Sequence, residues 1–315
     1  MDVLHGLESL PLEAEASAVT IGFFDGVHLG HRSVFGRTVE AARAGGLAAV
    51  AVTFDRHPRE ILTPGKEPRQ LTTLARKIEL IGALGLDALV VLAFTEEFSL
   101  IPADEFVKQV VVAGLHARRV VVGDNFTFGH RALGTVATLS EMGAALDFST
   151  EGVSLMEVAG RPVSSTAIRQ ALSEGDLWWP RQALGRRYAV DGRVGTGAGR
   201  GAALGYPTAN LDTAPKSLLP GMGVYAGKAA VDGSEHTAAI NIGTNPTFGV
   251  EPLHLEAFLL DFDGDIRGES MSIEFWERLR DEAKFPSAEA LIAQITLDVE
   301  RTRTVVSRPD PAGGA

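Results

Sequence analysis

The chain has 315 residues, no cysteine, and a net charge of −11 from 29 basic and 40 acidic side chains. That length exceeds what one hydrophobic core usually supports, so two domains are expected. The missing cysteines exclude disulfides, thiol catalysis and thiolate-bound metals, and the acidic balance argues against a broad nucleic-acid footprint.

Residues 1–11 are short, acidic and not continuously apolar, unlike a signal peptide. The apolar runs stay far below the ~20 residues that span a bilayer. A soluble, cytoplasmic protein with neither membrane nor nucleic-acid partners is therefore expected.

Residues 18–24 form an apolar run that reads as a buried strand, which Asp25 and Gly26 break with a turn. A helical pattern over 32–43 follows, with Val34, Phe35, Val39 and Ala42 recurring at helical spacing. His28 and His31 thus stand between a strand end and a helix start. There the free N–H groups and the positive end of the dipole favour phosphate. Gly30 lets an anion approach the backbone closely. From these residues, the turn is expected to hold a nucleoside triphosphate.

Residues 47–54 are another near-continuous apolar run, ending in Asp55-Arg56-His57-Pro58. A loop with Pro64, Gly65 and Pro68 leads to a helix over 74–84, then a strand over 86–93. Pro102 opens a helix running to 113, followed by a strand over 119–123 and a weaker one over 153–158. Buried strands alternating with amphipathic helices predict a doubly wound α/β domain. Its ligands should bind at the carboxyl ends of the strands, where His28, His57 and Asn125 all fall.

Ser164, Ser165 and Thr166 precede a helical run over 167–172 and read either as an N-cap or as phosphate-binding hydroxyls. Residues 173–187 read as a connection. Beyond Tyr188 glycines become dense, and short β-type runs recur at 188–190, 224–231, 238–242, 255–262 and 271–276. No long helix follows until 287–303. This predicts a small antiparallel barrel with a C-terminal helix.

Several stretches occur in order: 22–31, Gly-Phe-Phe-Asp-Gly-Val-His-Leu-Gly-His; 122–129, Val-Gly-Asp-Asn-Phe-Thr-Phe-Gly; and 164–169, Ser-Ser-Thr-Ala-Ile-Arg. They continue with 204–211, Leu-Gly-Tyr-Pro-Thr-Ala-Asn-Leu; 223–226, Gly-Val-Tyr-Ala; 241–249, Asn-Ile-Gly-Thr-Asn-Pro-Thr-Phe-Gly; and 255–262, Leu-Glu-Ala-Phe-Leu-Leu-Asp-Phe. Together they resemble the prokaryotic bifunctional riboflavin kinase/FAD synthetase family.

The resemblance implies a Rossmann-like nucleotidyltransferase domain over 1–183, built on a doubly wound parallel sheet. A small antiparallel β-barrel riboflavin kinase domain with a C-terminal helix follows over 184–308; residues 309–315 lie beyond the resemblance and read as a disordered terminal tail. The resemblance implies phosphorylation of riboflavin to FMN by ATP, adenylylation of FMN to FAD by a second ATP, and Mg²⁺ in both. The partners are these small molecules, with self-association left open.

In the adenylyltransferase, the resemblance implies that His28 and His31 serve the triphosphate catalytically. Gly22, Phe23, Ser164, Ser165, Thr166 and Arg169 bind ATP, while Asn125 and His57 lie on the flavin side. In the kinase, Gly197 and Gly201 cradle ATP, and Thr208 and Asn210 hold the metal and nucleotide. Glu256 is the base for the ribityl hydroxyl, and Arg280 binds flavin. Without the motif, Glu256 reads as an outward residue of an alternating strand, and Trp276 and Phe285 read as core or as flanks of the flavin ring.

The chain departs from the family pattern at Arg56, Ala202, Ala203, Asn245, Phe258 and Arg267. Two other readings remain. One is a chain with a single live activity. The other is a flavin or nucleotide sensor, which should have lost the histidine pair, Thr208 or Glu256. An aminoacyl-tRNA synthetase, suggested by His-x-Gly-His, fails on length, acidity and the barrel motifs.

Overall fold

The computed structural model describes residues 1–7, 16–196, 201, 205–244 and 253–309. They fall into two compact units, one of residues Met1–Pro68 and Leu74–Val163, the other of Arg69–Thr73 and Ser164–Ala315.

The first unit is built on β1 (Asp2–His5), β2 (Ser17–Ile21), β3 (Ala48–Phe54), β4 (Ala88–Leu92), β5 (Ala117–Gly123) and β6 (Ser149–Val153). All pair in parallel, in the order β1-β4-β3-β2-β5-β6. Its longer helices are α1 (Leu29–Gly45), α2 (Leu74–Gly82), α3 (Ala103–Phe106, continued by a π-helical stretch Val107–Gly114) and α4 (Val136–Leu146).

The central strands are buried along their whole length because both faces are covered, and alternation sorts their side chains. Ala18, Ala49, Ala51, Leu89 and Val91 point to the face where Phe35 and Ala42 of α1 and Ile81 of α2 pack. Val19, Ile21, Val50, Val52, Val90 and Leu92 meet Val107, Val110, Val111 and Leu139 on the other. The strand order reverses at β2, so the switch point lies between the carboxyl ends of β2 and β5.

Two elements of the sheet differ from the sequence reading. β1 is an edge strand with two apolar residues, too few to register as a run. The last strand is β6, whose Ser-Thr-Glu-Gly-Val pairs with β5, and not the apolar stretch 153–158. Glu157–Val158 instead forms a small hairpin with Arg161–Pro162.

The second unit begins with α5 (Ser165–Ser173) and α6 (Trp178–Leu184). The helix α6 lies within 173–187, the segment expected to connect the domains, and its Trp179, Ala183 and Leu184 are buried.

A closed antiparallel barrel follows, of β7 (Ala189–Gly195), β8 (Ala209–Thr213), β9 (Gly223–Val231), β10 (Ser234–Gly243), β11 (His254–Leu259) and β12 (Ser270–Arg280). Its order is β7-β8-β11-β10-β9-β12, and β12 closes on β7. Inward residues are Val190, Leu211, Ile240, Leu255, Ala257, Ile273 and Phe275, all buried. The C-terminal helix α7 (Ala288–Ser307) lies on the outer wall, where Val305 packs with Val224, Ala226 and Leu279.

Candidate active sites

In the first unit, the turn after β2 carries unusual backbone. Phe24 (φ 54°), Gly26 (φ 82°) and Val27 (φ 42°) are all left-handed. For a Phe and a β-branched Val this costs of the order of 1–3 kcal/mol each, and it persists only where surroundings enforce it. Here the side chains of Phe24, Asp25 and Val27 are all buried. Phe24 packs on Phe35 of α1 at 4.6 Å and meets the edge of His31 at 5.3 Å.

His28 is the N-cap of α1. Its Nδ1 accepts the His31 backbone N–H at 3.2 Å, which places the proton of the neutral ring on Nε2, a donor. The two imidazoles stack, with centroids 3.5 Å apart and planes 17° from parallel. The pair expected from sequence is thus preorganised at a helix N-terminus, suited to a phosphate.

Gly30 has a purpose the sequence reading did not give it. A Cβ there would sit 3.2 Å from Cε1 and Nδ1 of His28, so the glycine makes room for the ring. Gly22 likewise leaves room for Phe24, whose ring a Cβ would meet at 2.8 Å.

The neighbouring strand ends supply the remaining candidates of this unit. His57 follows β3, and its ring meets Phe23 edge-on at 4.7 Å. Its Nδ1 accepts the Arg59 N–H at 3.1 Å, and its own N–H donates to Glu60. Asn125 follows β5 and is exposed. Because β3, β2 and β5 are adjacent and parallel, residues 22–28, 55–57 and 124–126 line one edge of the sheet. Arg56 pairs with Asp55, whose other oxygen accepts the Phe94 N–H at 2.9 Å.

The sequence reading missed Lys77. It lies on α2 in the apolar stripe of Leu74, Ile78 and Ile81, and only 2% of it is exposed. Its Nζ sits 3.7 Å from the centre of the Phe23 ring and 3.4 Å from Thr53 Oγ1. Burial pushes its ammonium down to about 8, and the Asp25 carboxylate opposes that shift. A charged residue inside an apolar stripe was the available signal.

Ser164, Ser165, Thr166 and Arg169 belong to the second unit. Ser164 is the N-cap of α5, its hydroxyl accepting the Ala167 N–H at 3.1 Å. Arg169 donates through Nε to the Arg69 carbonyl at 2.7 Å.

On the barrel, β8, β11 and β10 bring Asn210, Glu256 and Asn241 side by side in register. Directly opposed residues of antiparallel strands share a face, so all three point outward from the barrel. Glu256 is therefore an outward residue of an alternating strand, and that face is walled. A cavity of about 390 Å³ there is lined by Gly201, Tyr206, Thr208, Asn241, Glu256, Phe258, Arg280, Phe285 and Asp298.

Thr208 donates its hydroxyl hydrogen to Glu256 Oε2 at 3.3 Å, which turns the oxygen lone pairs of Thr208 elsewhere. Gly197 lies outside the described residues, as do Ala202, Ala203 and Asn245.

Arg280 lines the cavity with its guanidinium already engaged. Nε and one terminal nitrogen hold Asp298 at 2.7–3.1 Å, and the other donates to the Asp281 carbonyl at 3.0 Å. Asp298 is buried and also accepts from Gln294 at 2.9 Å. Phe285 lines the cavity. Trp276 is not among its lining residues and stacks under Arg187, 3.7 Å from its ring. Phe258 meets Tyr206 edge-on at 5.3 Å, and Arg267 pairs with Asp265 in an exposed turn.

Two family profiles match the chain in sequence order, FAD synthetase over residues 10–167 and riboflavin kinase over 184–306. Bifunctional riboflavin kinase/FMN adenylyltransferases are similar over nearly the full length. The protein from Pseudomonas fluorescens is 36% identical, with 98% of each chain covered. That from Listeria monocytogenes is 37% identical, with 92% of each covered, and that from Escherichia coli K12 32%, with 98% of each.

A solved structure from Streptococcus pneumoniae, described as a macrolide-efflux protein, has a TM-score of 0.86 at 29% identity, covering 96% of this chain and 99% of that one. Among the described residues of this chain, no helix is long and apolar enough to cross a membrane.

Proposed function

This chain belongs to the bifunctional riboflavin kinase/FMN adenylyltransferase family, and we propose that its two reactions run at the two residue sets described above. It phosphorylates riboflavin with ATP to FMN, and it adenylylates FMN with ATP to FAD, releasing pyrophosphate. We place the functional boundary at 183/184, where the riboflavin kinase match begins, and end the kinase domain at 308. The setting is cytoplasmic, without nucleic-acid partners, and self-association is part of the proposal only as an arrangement compatible with both reactions.

In adenylyl transfer the FMN phosphate oxygen attacks the α-phosphorus of ATP, and pyrophosphate leaves. The enzyme's task is in-line positioning and stabilisation of charge on the transferring and leaving oxygens. His28, donating through Nε2, and His31 hold the triphosphate at the α1 N-terminus, with Gly22 and Phe23 beside it. Ser164, Ser165, Thr166 and Arg169 bind ATP as well. Asn125 and His57 hold the flavin side. The stacked histidine pair carries this reading.

In the kinase, Glu256 accepts the proton of the ribityl 5′-hydroxyl as that oxygen attacks the γ-phosphorus, whose bond to the β,γ-bridging oxygen breaks so that ADP leaves. Gly197 and Gly201 cradle ATP, and Arg280 borders the flavin. The oxygen set fits Mg²⁺. The Thr208 hydroxyl presents lone pairs, Asn210 offers an amide oxygen on the same face, and Glu256 stands beside both. Mg²⁺ keeps most of its waters and takes few protein ligands alongside phosphate. Among the described residues no cluster of three His, Asp or Glu would supply a closed cage. Once bound, the metal would neutralise phosphate charge.

The test is incubation with riboflavin and ATP, with and without Mg²⁺, followed by separation of the flavins. FMN then FAD should accumulate only with the metal. Turnover in excess chelator would refute the metal assignment.

A further inference from the structure

We propose that Lys77 is a positioning residue for adenylyl transfer, its buried ammonium locking the 22–28 turn through Phe23. The inference rests on the assignment of adenylyl transfer to that turn.

Three groups of the turn and its supports converge on Lys77. Nζ lies 3.7 Å over the face of the Phe23 ring, within cation–π range. Nζ also donates to Thr53 Oγ1 at 3.4 Å, and the Thr53 hydroxyl donates to the Phe23 carbonyl at 3.1 Å. Ring and backbone of one residue are thus tied to one ammonium. The third group is the Asp25 carboxylate, also buried, which attracts Lys77 electrostatically. Phe23 passes the constraint on, since its ring meets His57 at 4.7 Å.

Stability does not account for this charge. An ammonium taken out of water is costly, and an apolar side chain at the same place in the α2 stripe would pack without that cost. What the charge adds is direction. It fixes Phe23 and Asp25, the residues on either side of Phe24, whose left-handed backbone begins the strained turn. The turn ends at His28, so its geometry sets where the stacked imidazoles stand.

The experiment uses the full chain and four variants, Lys77→Met, Thr53→Val, the two combined, and His28→Ala. FAD formation from FMN and FMN formation from riboflavin are measured on each preparation. Lys77→Met should lower kcat for FAD formation about tenfold or more, with KM for ATP within about threefold. FMN formation and the thermal midpoint should not fall. Thr53→Val should lower the same kcat by about threefold, and add little in the Lys77→Met background.

A merely structural lysine would lower the midpoint and leave kcat per folded molecule unchanged. A kcat for FAD formation within about twofold of wild type in Lys77→Met overturns the proposal. If Lys77→Met does not fold, Thr53→Val decides, and an unchanged kcat there overturns it. Persistence of FAD formation in His28→Ala would instead remove the assignment of the turn itself. Loss in His28→Ala without loss in Lys77→Met removes only the role of Lys77.

Discussion

Gly30→Ala should separate the stability of the histidine turn from its chemistry. Gly30 is the second residue of α1, where alanine is the better helix former by about 0.5–1 kcal/mol. The added Cβ would stand 3.2 Å from Cε1 and Nδ1 of His28, so the ring must yield by a few tenths of an ångström. That shift weakens the bond from His31 N–H to His28 Nδ1, an N-cap contact whose loss costs about 1 kcal/mol. The two effects nearly cancel, and urea unfolding of the variant should agree with wild type within about 1 kcal/mol.

The reaction has no such compensation. A donor displaced from a transferring phosphate loses transition-state stabilisation, and kcat for FAD formation should fall by about ten- to a hundredfold. FMN formation in the same preparation should be unchanged, which controls for folding. An unaltered FAD rate would refute the claim that Gly30 serves the position of His28. A stability loss well beyond about 2 kcal/mol would refute the cancellation.

Lys77 predicts a pH dependence of stability. Its ammonium is pushed down from 10.5 to about 8 by burial, so between those values the unfolded chain binds more protons than the folded one. The penalty is fully present below pH 8 and is relieved as pH rises towards 10.5, by about 3 kcal/mol at most. Urea unfolding of wild type against Lys77→Met should show wild type gaining relative stability across that window. A flat difference would contradict it. Asp298→Ala leaves Arg280 without its carboxylate, so the barrel unit should lose about 3 kcal/mol in chemical unfolding, and KM for riboflavin should rise. Thr208→Val should raise the Mg²⁺ concentration needed for half-maximal FMN formation by about tenfold, leaving FAD formation intact.

How much was legible in the sequence follows from what each segment buries. The central strands are continuous apolar runs because both faces of the sheet are covered, so β2, β3 and β4 stand out. The edge strands β1 and β6 carry few apolar residues, and by composition the stretch 153–158 is the more strand-like neighbour of β6. The strand β8 escapes a hydrophobic reading because its outward face is polar. In Ala-Asn-Leu-Asp-Thr one face presents Asn210 and Asp212, which reads as loop although Leu211 is buried in the barrel.

Motifs made of local neighbours, such as His28 and His31, could be read directly. Lys77 and Asp298 could not, because each becomes meaningful only through residues distant in sequence. Each nonetheless left a trace, since Lys77 interrupts the stripe of Leu74, Ile78 and Ile81, and Asp298 that of Leu291, Ile295, Thr302 and Val305.

The central claim is that two separate residue sets carry the two reactions. Its most direct test is to quantify FMN and FAD from riboflavin-fed and FMN-fed reactions of a His28→Ala/His31→Ala variant and of Glu256→Gln. The histidine variant should form FMN from riboflavin and no FAD. Glu256→Gln should form FAD from supplied FMN and no FMN from riboflavin. Loss of both activities in either folded variant, or undiminished FAD formation without the histidines, would contradict the account.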